Sequence, residues 1–247
     1  MHKAHRKVRL FFNEDAPMPV YLSRHVSYCL IDNQPLFLDT LKDHYFQLPA
    51  ALEAAFLAHV QGDRAASSAV TKLVALGVLA EAEADAGGGN LAPTSAIAPD
   101  HSAIESAGIN VRAGLRTTLD VAGTVFATWR QLKRFPLHAV LEATSAYRER
   151  HLRCRVTAAL PPAQVGLGLY EAAEAFRRAR LRVPSATRCL PDAISLIRFL
   201  ARRGLHAKLV FGVMVNPLSA HCWVQAHRTV LSDTVGNARA HTPILVV

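Results

Sequence analysis

Three residues in the last quarter of the sequence have the types and the order that a cysteine hydrolase requires. Cys189 precedes a stretch with helical periodicity, His221 follows in a region rich in valine and leucine, and Asp233 comes shortly after it. In such an enzyme the thiolate attacks a carbonyl carbon, the histidine accepts and returns a proton, and the carboxylate fixes the imidazole tautomer. We therefore predict a catalytic triad of these three residues.

Cys189 is predicted to lie in the first turn of a helix. Pro191 has no amide hydrogen and is tolerated in a helix only within that turn, so a helix that begins near Thr187 or Arg188 places Cys189 there. Apolar residues then recur at helical spacing, and Gly204 is a typical stop signal. Free amides and the positive end of the helix dipole favour the thiolate, which is the nucleophilic form of cysteine.

His221 and Asp233 are predicted to face each other on neighbouring strands. Residues 220–225 and 229–233 have the composition of strands, and residues 226–228 would form a three-residue loop between them. This register pairs His221 with Asp233, and directly opposed Cβ atoms are about 4.5 to 5.5 Å apart. A two-residue loop would shift the register and turn Asp233 to the opposite face, so the triad prediction depends on the loop length.

The other three cysteines are predicted to be small buried thiols, because no CxxC pair occurs and a reducing compartment would leave them unpaired. They are Cys29, Cys154 and Cys222. Cys222 adjoins His221 in sequence but, on a strand, it points to the other face. A chain with 12 histidines can also place a cysteine, a histidine and an aspartate in this order by coincidence.

Composition excludes several classes of protein. No uncharged apolar stretch approaches the roughly 20 residues of a membrane span, and the basic N-terminus lacks the apolar run of a signal peptide, so we predict a cytoplasmic protein without membrane contact. The net charge of +9 comes without the interleaved aromatic residues that stack on bases, so nucleic acid is not an expected partner. We predict no metal and no cofactor, because no zinc-ligand spacing is present among Cys189, His206, His221 and Cys222.

A change in composition divides the chain. Residues 80–99 contain consecutive glycines and two prolines among alanines and acidic residues, which is typical of a flexible linker. We predict one domain at residues 1–84 and a second at residues 103–247, joined by a linker at residues 85–102.

The predicted elements give an α+β fold class. In the first domain the patterns predict three strands and two helices, at residues 27–32, 35–40, 44–48, 50–60 and about 65–76. In the second domain residues 104–132, 137–147 and 165–179 are predicted to be helices. Helices followed by the cysteine-bearing helix and an antiparallel sheet give the order of a papain-like protease.

Residues 187–233 resemble the lasso peptide B protein, a leader peptidase of the transglutaminase-like cysteine protease superfamily. The resemblance rests on five separated pieces in the same order and spacing, Arg188-Cys189-Leu190, 200–204, 209–213, 220–224 and 230–233. It implies that Cys189 is the nucleophile, His221 the base and Asp233 the orienting acid. Gln225 stands where the family often has an acidic residue, and Ser232 stands where an asparagine is common.

Residues 19–82 resemble a RiPP recognition element, a winged helix-turn-helix-like domain that captures the leader of a precursor peptide. The resemblance implies that the leader pairs with the third strand and lies against the last helix of this domain. The implied contact residues are His44, Tyr45, Phe46, Gln47, Leu48, Ala66, Val70 and Leu73. Phe46, Leu48 and Leu73 could equally be core residues.

The two resemblances imply a fused enzyme that binds the leader with its first domain and cuts the leader from the core peptide with its second. Binding of the leader would raise the local concentration of the scissile bond near Cys189. The implied partners are the precursor peptide and a separate asparagine-synthetase-like lasso cyclase, which uses ATP. Two alternatives stay open: a transglutaminase-like amidase or acyltransferase, because water or an amine can resolve the same thioester, and a non-enzymatic winged-helix protein that binds peptide or DNA.

Overall fold

A computed structural model describes residues 20–62, 67–81, 91–106, 111–153 and 162–247. Helices and sheets are mixed along the chain, as the sequence predicts. In the described ranges no helix is both long enough and apolar enough to cross a bilayer. Ala66, Cys154 and most of residues 80–90 lie outside the described residues.

The N-terminal module, residues 20–81, consists of five short strands and two helices. They are β1 (Val20–Leu22), β2 (Val26–Ile31), β3 (Gln34–Asp39), β4 (His44–Phe46), α1 (Ala50–Val60), α2 (Ser67–Ala75) and β5 (Leu79–Glu81). β2, β3 and β4 form an antiparallel sheet in that order, and β1 pairs with β5. Asp32 and Asn33 turn the β2–β3 hairpin with φ of 51° and 64°, a left-handed conformation that these two residue types tolerate. β4 is therefore an edge strand, although it ends two residues before the predicted Leu48.

The C-terminal module surrounds one buried helix with a sheet and three longer helices. Its elements are β6 (His101–Ser102), α3 (Leu115–Arg134), α4 (Leu137–Arg153), α5 (Pro162–Arg180), α6 (Cys189–Ala201), β7 (Lys208–Met214), β8 (Ser219–Ala226), β9 (Thr229–Val230), α7 (Val235–Ala240) and β10 (Thr242–Val246). The sheet has the order β10-β7-β8-β9-β6, antiparallel except between β9 and β6. α6 packs on β7 and β8 and is flanked by α3, α4 and α5.

The start of α3 differs from the prediction of a helix from residue 104. Residues 101 and 102 form β6, and the Ser102 hydroxyl accepts hydrogen bonds from the amides of Ile104 and Glu105. A serine that bonds the backbone two and three residues later favours a turn over a helix. The helix begins only at Leu115, after Gly114.

Part of the predicted linker is held against both modules. The amide of Thr94 donates to the carbonyl of Tyr28 in β2, while the carbonyls of Ile97 and Pro99 accept from the side chains of Gln225 and Arg239. β6 then adds His101 and Ser102 to the five-stranded sheet. Residues 91–102 are thus an anchored connection, whereas the proposed boundaries at residues 84 and 102 stay a prediction.

The sheet of the N-terminal module is covered on both faces. Tyr28 and Phe37 pack with α1 and α2, while Cys29, Leu36 and Leu38 are buried in the same cluster as the residues of α6. Successive residues of a strand point to opposite faces, so one sheet supplies both contacts. Separation of the two modules would expose this shared core.

Candidate active site

The helix that carries Cys189 is buried along most of its length and exposed at its first residue. Cys189 is the first residue of α6, preceded by the N-cap residue Arg188 in an extended conformation. The buried Arg180 holds the chain before it, because its guanidinium donates to the Ala186 carbonyl at 2.9 Å and to the Asp192 carboxylate at 2.7 Å. The sequence prediction of the helix start is confirmed, and Arg180 is a positioning residue that it missed.

His221 and Asp233 are in contact, but not through the predicted register. Nε2 of His221 shares a hydrogen bond with Oδ2 of Asp233. The β8–β9 loop has two residues rather than three, since Ala226 pairs with Thr229. In that register a continued strand would turn Asp233 away from His221.

The contact forms because β9 ends at Val230 and the chain bends before Asp233. Beyond the strand, the Ser102 hydroxyl donates to the Asp233 carbonyl at 2.6 Å. The amide of Thr234 donates to Oδ1 of Asp233 at 2.7 Å, and Nδ2 of Asn237 donates to Oδ2 at 2.7 Å. The predicted three-residue loop and strand to Asp233 are wrong, because these contacts with a distant serine and a following helix redirect the carboxylate.

Asp233 remains ionised in this setting. Burial alone would raise the pKa of its carboxyl, but the hydrogen bonds from His221, Thr234 and Asn237 outweigh burial and hold that pKa below its ordinary value. Asn237 belongs to α7, whose N-cap Thr234 accepts from the Asn237 amide. α7 was not predicted from the sequence, although a threonine such as Thr234 ahead of a short segment is a helix-start signal.

Cys189 and His221 form a charged pair. Hydrogen bonds with Cys222 and His221 lower the pKa of the Cys189 thiol to about 4. Hydrogen bonds with Asp233 and Cys189 raise the pKa of His221 to about 9. Because Nε2 of His221 is bonded to Asp233, Nδ1 is the ring nitrogen left for the sulfur. The pair is thus a thiolate and an imidazolium over the pH range between these two values.

Cys222 takes part in this site, which the sequence analysis did not predict. It is buried on the face of β8 that α6 covers. Interaction with the side chain of Cys189 and burial raise the pKa of the Cys222 thiol far above its ordinary value, so the group is a neutral S–H beside the thiolate. Its position directly after His221 was the available sequence signal.

The other face of β8 supports the imidazole of His221. The rings of Trp223 and His241 lie 6.2 Å and 5.4 Å from it, measured between centroids. Gly212 pairs with His221 across β7 and β8, and a Cβ there would lie 2.7 Å from Trp223 and 2.8 Å from His241. Only glycine leaves room for these rings beneath the histidine.

An open cleft of about 560 Å³ adjoins Cys189. Its walls come from the start of α6, from the α3–α4 corner and from the N-terminal module, with the lining residues Leu41, Asp43, Trp129, Leu132, Lys133, Phe135, Pro136, Leu137, Arg188, Cys189, Leu190 and Pro191. Leu41 and Phe135 are exposed there although they are large and apolar. Nε1 of Trp129 is buried and has no hydrogen-bond partner among the described residues. The cleft thus offers apolar surface beside the thiolate.

The turn that leads into β4 lines the same cleft through Leu41 and Asp43. Burial raises the pKa of the Tyr45 phenol to about 12, with smaller contributions from Cys222, Asp43 and Cys189. Tyr45 also packs on the core cluster that contains α6. The segment that leads into an edge strand therefore borders the cleft at the reactive sulfur.

The predicted leader-binding residues fall into two groups. His44 and Gln47 are exposed, and Tyr45 and Phe46 are half-buried, so the edge of β4 presents a surface. Leu48 and Leu73 are buried in the core of the N-terminal module, with Val70 packed against it. Buried side chains support the sheet and offer no surface to a peptide. The assignment of a leader-binding role to this region stays a prediction, and Ala66 lies outside the described residues.

Comparison with known proteins gives one finding for the C-terminal module. Residues 131–246 match the family model of the transglutaminase-like superfamily. The match begins in α3, ends in β10 and includes Cys189, His221 and Asp233. No curated protein and no solved structure matches the chain. The chain thus carries a transglutaminase-like domain, a fold of the cysteine protease and amidase type.

The paired pKa shifts predict how the reactivity of Cys189 varies with pH. Since the pKa of the thiol is lowered to about 4, the thiolate persists in acid, and since that of His221 is raised to about 9, its positive charge persists to that pH. We expect the rate of alkylation by iodoacetamide to stay nearly constant from about pH 5 to 8, whereas a thiol of ordinary pKa near 8.5 gains about tenfold per pH unit. Mass spectrometry of the peptide that contains Cys189 measures this rate.

The matched variant for this measurement is Cys222→Ala. It removes the largest cause of the lowered pKa, so the acid limb of the alkylation profile is expected to move to higher pH. His221→Ala should move it further toward an ordinary thiol, because the imidazolium is then lost as well. An alkylation rate that rises steadily through pH 7 in the unmodified protein would contradict the thiolate–imidazolium pair.

Proposed function

We propose that this chain is a leader peptidase of lasso peptide biosynthesis, which binds the leader of a precursor peptide and hydrolyses the bond between leader and core. The observation that carries the proposal is the hydrogen-bonded His221–Asp233 pair with the ionised Cys189, at a cleft that the turn before β4 also lines. The resemblance of residues 187–233 to lasso peptide B proteins supplies the substrate class.

Hydrolysis follows from the charges of the cluster. The thiolate of Cys189 adds to the carbonyl carbon of the last leader residue, and the imidazolium of His221 donates its proton to the departing amine of the core peptide. The first amides of α6 have no partners within the helix and are placed to stabilise the oxyanion. Neutral His221 then takes a proton from water, which attacks the thioester and releases the leader as an acid.

The charge on Asp233 serves both steps. It stabilises the imidazolium that exists before the attack, and it keeps Nδ1 of His221 directed at the sulfur and the leaving amine. The S–H donor of Cys222 holds the thiolate at low pKa in the free enzyme. The sulfur is therefore ionised before substrate arrives.

Capture of the leader by β4 places substrate beside this sulfur. A peptide that adds to the exposed edge of a sheet gains main-chain hydrogen bonds, and its side chains fall on both sides of the strand. Asp43 adjoins β4 and lines the cleft, and Tyr45 of β4 packs on the core cluster that contains α6. Because the two modules share a core, the bound leader is presented from a fixed position, and binding far from the scissile bond raises its local concentration at Cys189.

The core peptide that this cleavage releases is the substrate expected for the proposed partner enzyme. Hydrolysis frees the amino group of the first core residue, and an asparagine-synthetase-like lasso cyclase would consume that amine in an ATP-dependent ring closure. The interaction with this cyclase and with the precursor peptide belongs to the proposal.

Incubation of the full chain with the precursor peptide encoded beside its gene tests the activity. We expect two fragments whose masses sum to that of the precursor plus one water. A leader fragment that instead carries added methylamine, when this amine is present, would identify an acyltransferase. An intact precursor after prolonged incubation with protein that iodoacetamide still modifies at Cys189 would refute the peptidase proposal.

Proline substitutions test the predicted strand addition at β4. Consecutive amides of a strand point to opposite edges, so one of Phe46→Pro and Gln47→Pro removes an amide at the free edge. We expect that variant to keep its melting temperature and to bind the leader at least about tenfold more weakly, the loss typical of a missing buried hydrogen bond. Isothermal titration of a leader peptide against the full chain in a Cys189→Ala background is the measurement.

Gln47→Ala is the matched control, because it changes the side chain and retains the amide. It should bind the leader as the unmodified chain does. Unchanged affinity in the proline variant that keeps its melting temperature would place the leader elsewhere.

A further inference from the structure

A second cavity lies away from the candidate active site, between α3, α4 and the C-terminal half of α6. Its volume is about 770 Å³, and we call it the arginine pocket, with the lining residues Leu119, Asp120, Gly123, Thr124, Ala127, Gln131, Ala143, Ala146, Tyr147, Arg150, Arg198 and Arg202. Arg198 follows Cys189 by nine positions on α6, which at 1.5 Å per residue is about 13 Å along the helix. The pocket is therefore distinct from the cleft.

The central feature of the arginine pocket is a buried guanidinium that has no acidic partner within the residues that the structure describes. Arg198 is 7% exposed, and its guanidinium donates only to hydroxyls, to Thr144 Oγ1 at 2.8 Å and to Thr128 Oγ1 at 3.3 Å. Nε of Arg198 is buried and has no partner among the described residues. Arginine keeps its charge when buried, so this positive charge is left without an acidic partner in the described part of the chain.

The neighbouring side chains add to the excess of positive charge in the pocket. Arg150 and Arg202 line the same pocket, whereas the acidic residue in the lining is Asp120. Asp120 is already engaged, since its Oδ1 accepts from Arg202 at 2.7 Å and its Oδ2 accepts from Arg203 at 3.3 Å. Within the lining, three guanidinium groups thus face one carboxylate.

We infer that the arginine pocket binds a small ligand with at least two negative charges, such as a phosphorylated compound. The planar fork of a guanidinium matches the oxygens of phosphate and carboxylate groups, and Arg198 has an unused N–H for such a bond. The Tyr147 hydroxyl, which also borders the pocket and accepts from Arg202 at 3.4 Å, keeps its own hydrogen as a further donor. Phosphate and carboxylate ligands share this chemistry, and the volume admits a ligand larger than a single phosphate.

Titration calorimetry with inorganic pyrophosphate tests this inference on the full chain. Phosphate and citrate are measured in parallel in an amine buffer, with potassium chloride added to hold ionic strength constant. We expect saturable binding of pyrophosphate at one site per chain. Arg150→Ala and Arg198→Gln should each weaken it by about tenfold or more, the usual effect of losing a hydrogen bond to a charged group.

Arg116→Ala is the matched control, because Arg116 is exposed on α3 and does not line the pocket. This variant should bind pyrophosphate as the unmodified chain does. Should Arg198→Gln fail to fold, Arg150→Ala still carries the test, since Arg150 is exposed.

The outcomes distinguish a phosphate ligand from a carboxylate ligand. Saturable binding of citrate in place of pyrophosphate, with the same loss in Arg150→Ala, supports the site and identifies carboxylate as its ligand type. The inference is overturned if none of the three anions binds saturably at millimolar concentration. It is also overturned if Arg150→Ala and Arg116→Ala weaken binding equally, because the effect then reflects the net charge of +9 alone.

Discussion

Replacement of Cys189 by alanine is expected to lower precursor cleavage by at least about 10⁴-fold and to leave leader affinity unchanged. The sulfur is the nucleophile of the proposed reaction and is ionised by its contacts with Cys222 and His221. The edge of β4, where the leader is proposed to bind, keeps all of its main-chain groups in this variant. Cleavage is followed by mass spectrometry under single-turnover conditions, and leader affinity by calorimetry.

Cys29→Ala is a suitable control for the loss of a thiol. Cys29 is buried in the core between the two modules, and burial raises its pKa to about 11. Its removal should affect stability and leave the cleavage rate nearly unchanged. Retained cleavage in Cys189→Ala would show that this sulfur is not the nucleophile and would refute the proposed peptidase mechanism.

The cysteine-bearing helix could be predicted from sequence because its signals are local. Pro191 restricts the start, Gly204 follows the end with φ of 72°, and the apolar residues between them are almost all buried. These constraints act within a few residues of chain. The order of cysteine, histidine and aspartate and the strand that carries His221 could also be predicted from local sequence signals.

The path of the chain to Asp233 could not be predicted because its determinants are distant in sequence. Ser102 holds the carbonyl of Asp233, and Asn237 holds its carboxylate from a helix that was not predicted. Pattern reasoning assumed that the strand continued and that the loop had three residues. His221 and Asp233 are in contact, as predicted. The cause is the set of contacts that Ser102 and Asn237 make with Asp233, and not the predicted pairing of two strands.

The packing of the two modules was missed because a linker was inferred from composition alone. In β3, the consecutive residues Leu36, Phe37 and Leu38 are apolar, and a strand without alternation is typical of a sheet buried on both faces. That signal indicated a second covering layer, which α6 and its neighbours provide. The placement of Cys222 against Cys189 likewise depends on how α6 lies across β8, which no local pattern encodes.

Replacement of Asp233 by asparagine is expected to preserve the fold and to lower kcat/KM by as much as about 10⁴-fold. A neutral amide cannot stabilise the imidazolium of His221, so the pKa of that ring should fall from about 9 and the thiolate–imidazolium pair should weaken. The alkaline limb of the pH profile of kcat/KM should therefore move to lower pH, because His221 loses its proton earlier. A merely structural defect would lower the rate without moving this limb.

Asn237→Ala separates orientation of the imidazole from support of the carboxylate. Asn237 donates one hydrogen bond to the Asp233 carboxylate at 2.7 Å and helps to fix its position. In Asn237→Ala, the negative charge of Asp233 and its contact with His221 remain. Its loss should cost about tenfold or less in kcat/KM, the effect of one hydrogen bond to a charged group, and should leave the alkaline limb near its original pH. If Asp233→Asn costs less than about threefold and its pH profile matches that of Asn237→Ala, the carboxylate does not orient His221. The thiolate–imidazolium pair of Cys189 and His221 would then be stabilised by Cys189 and Cys222 without Asp233.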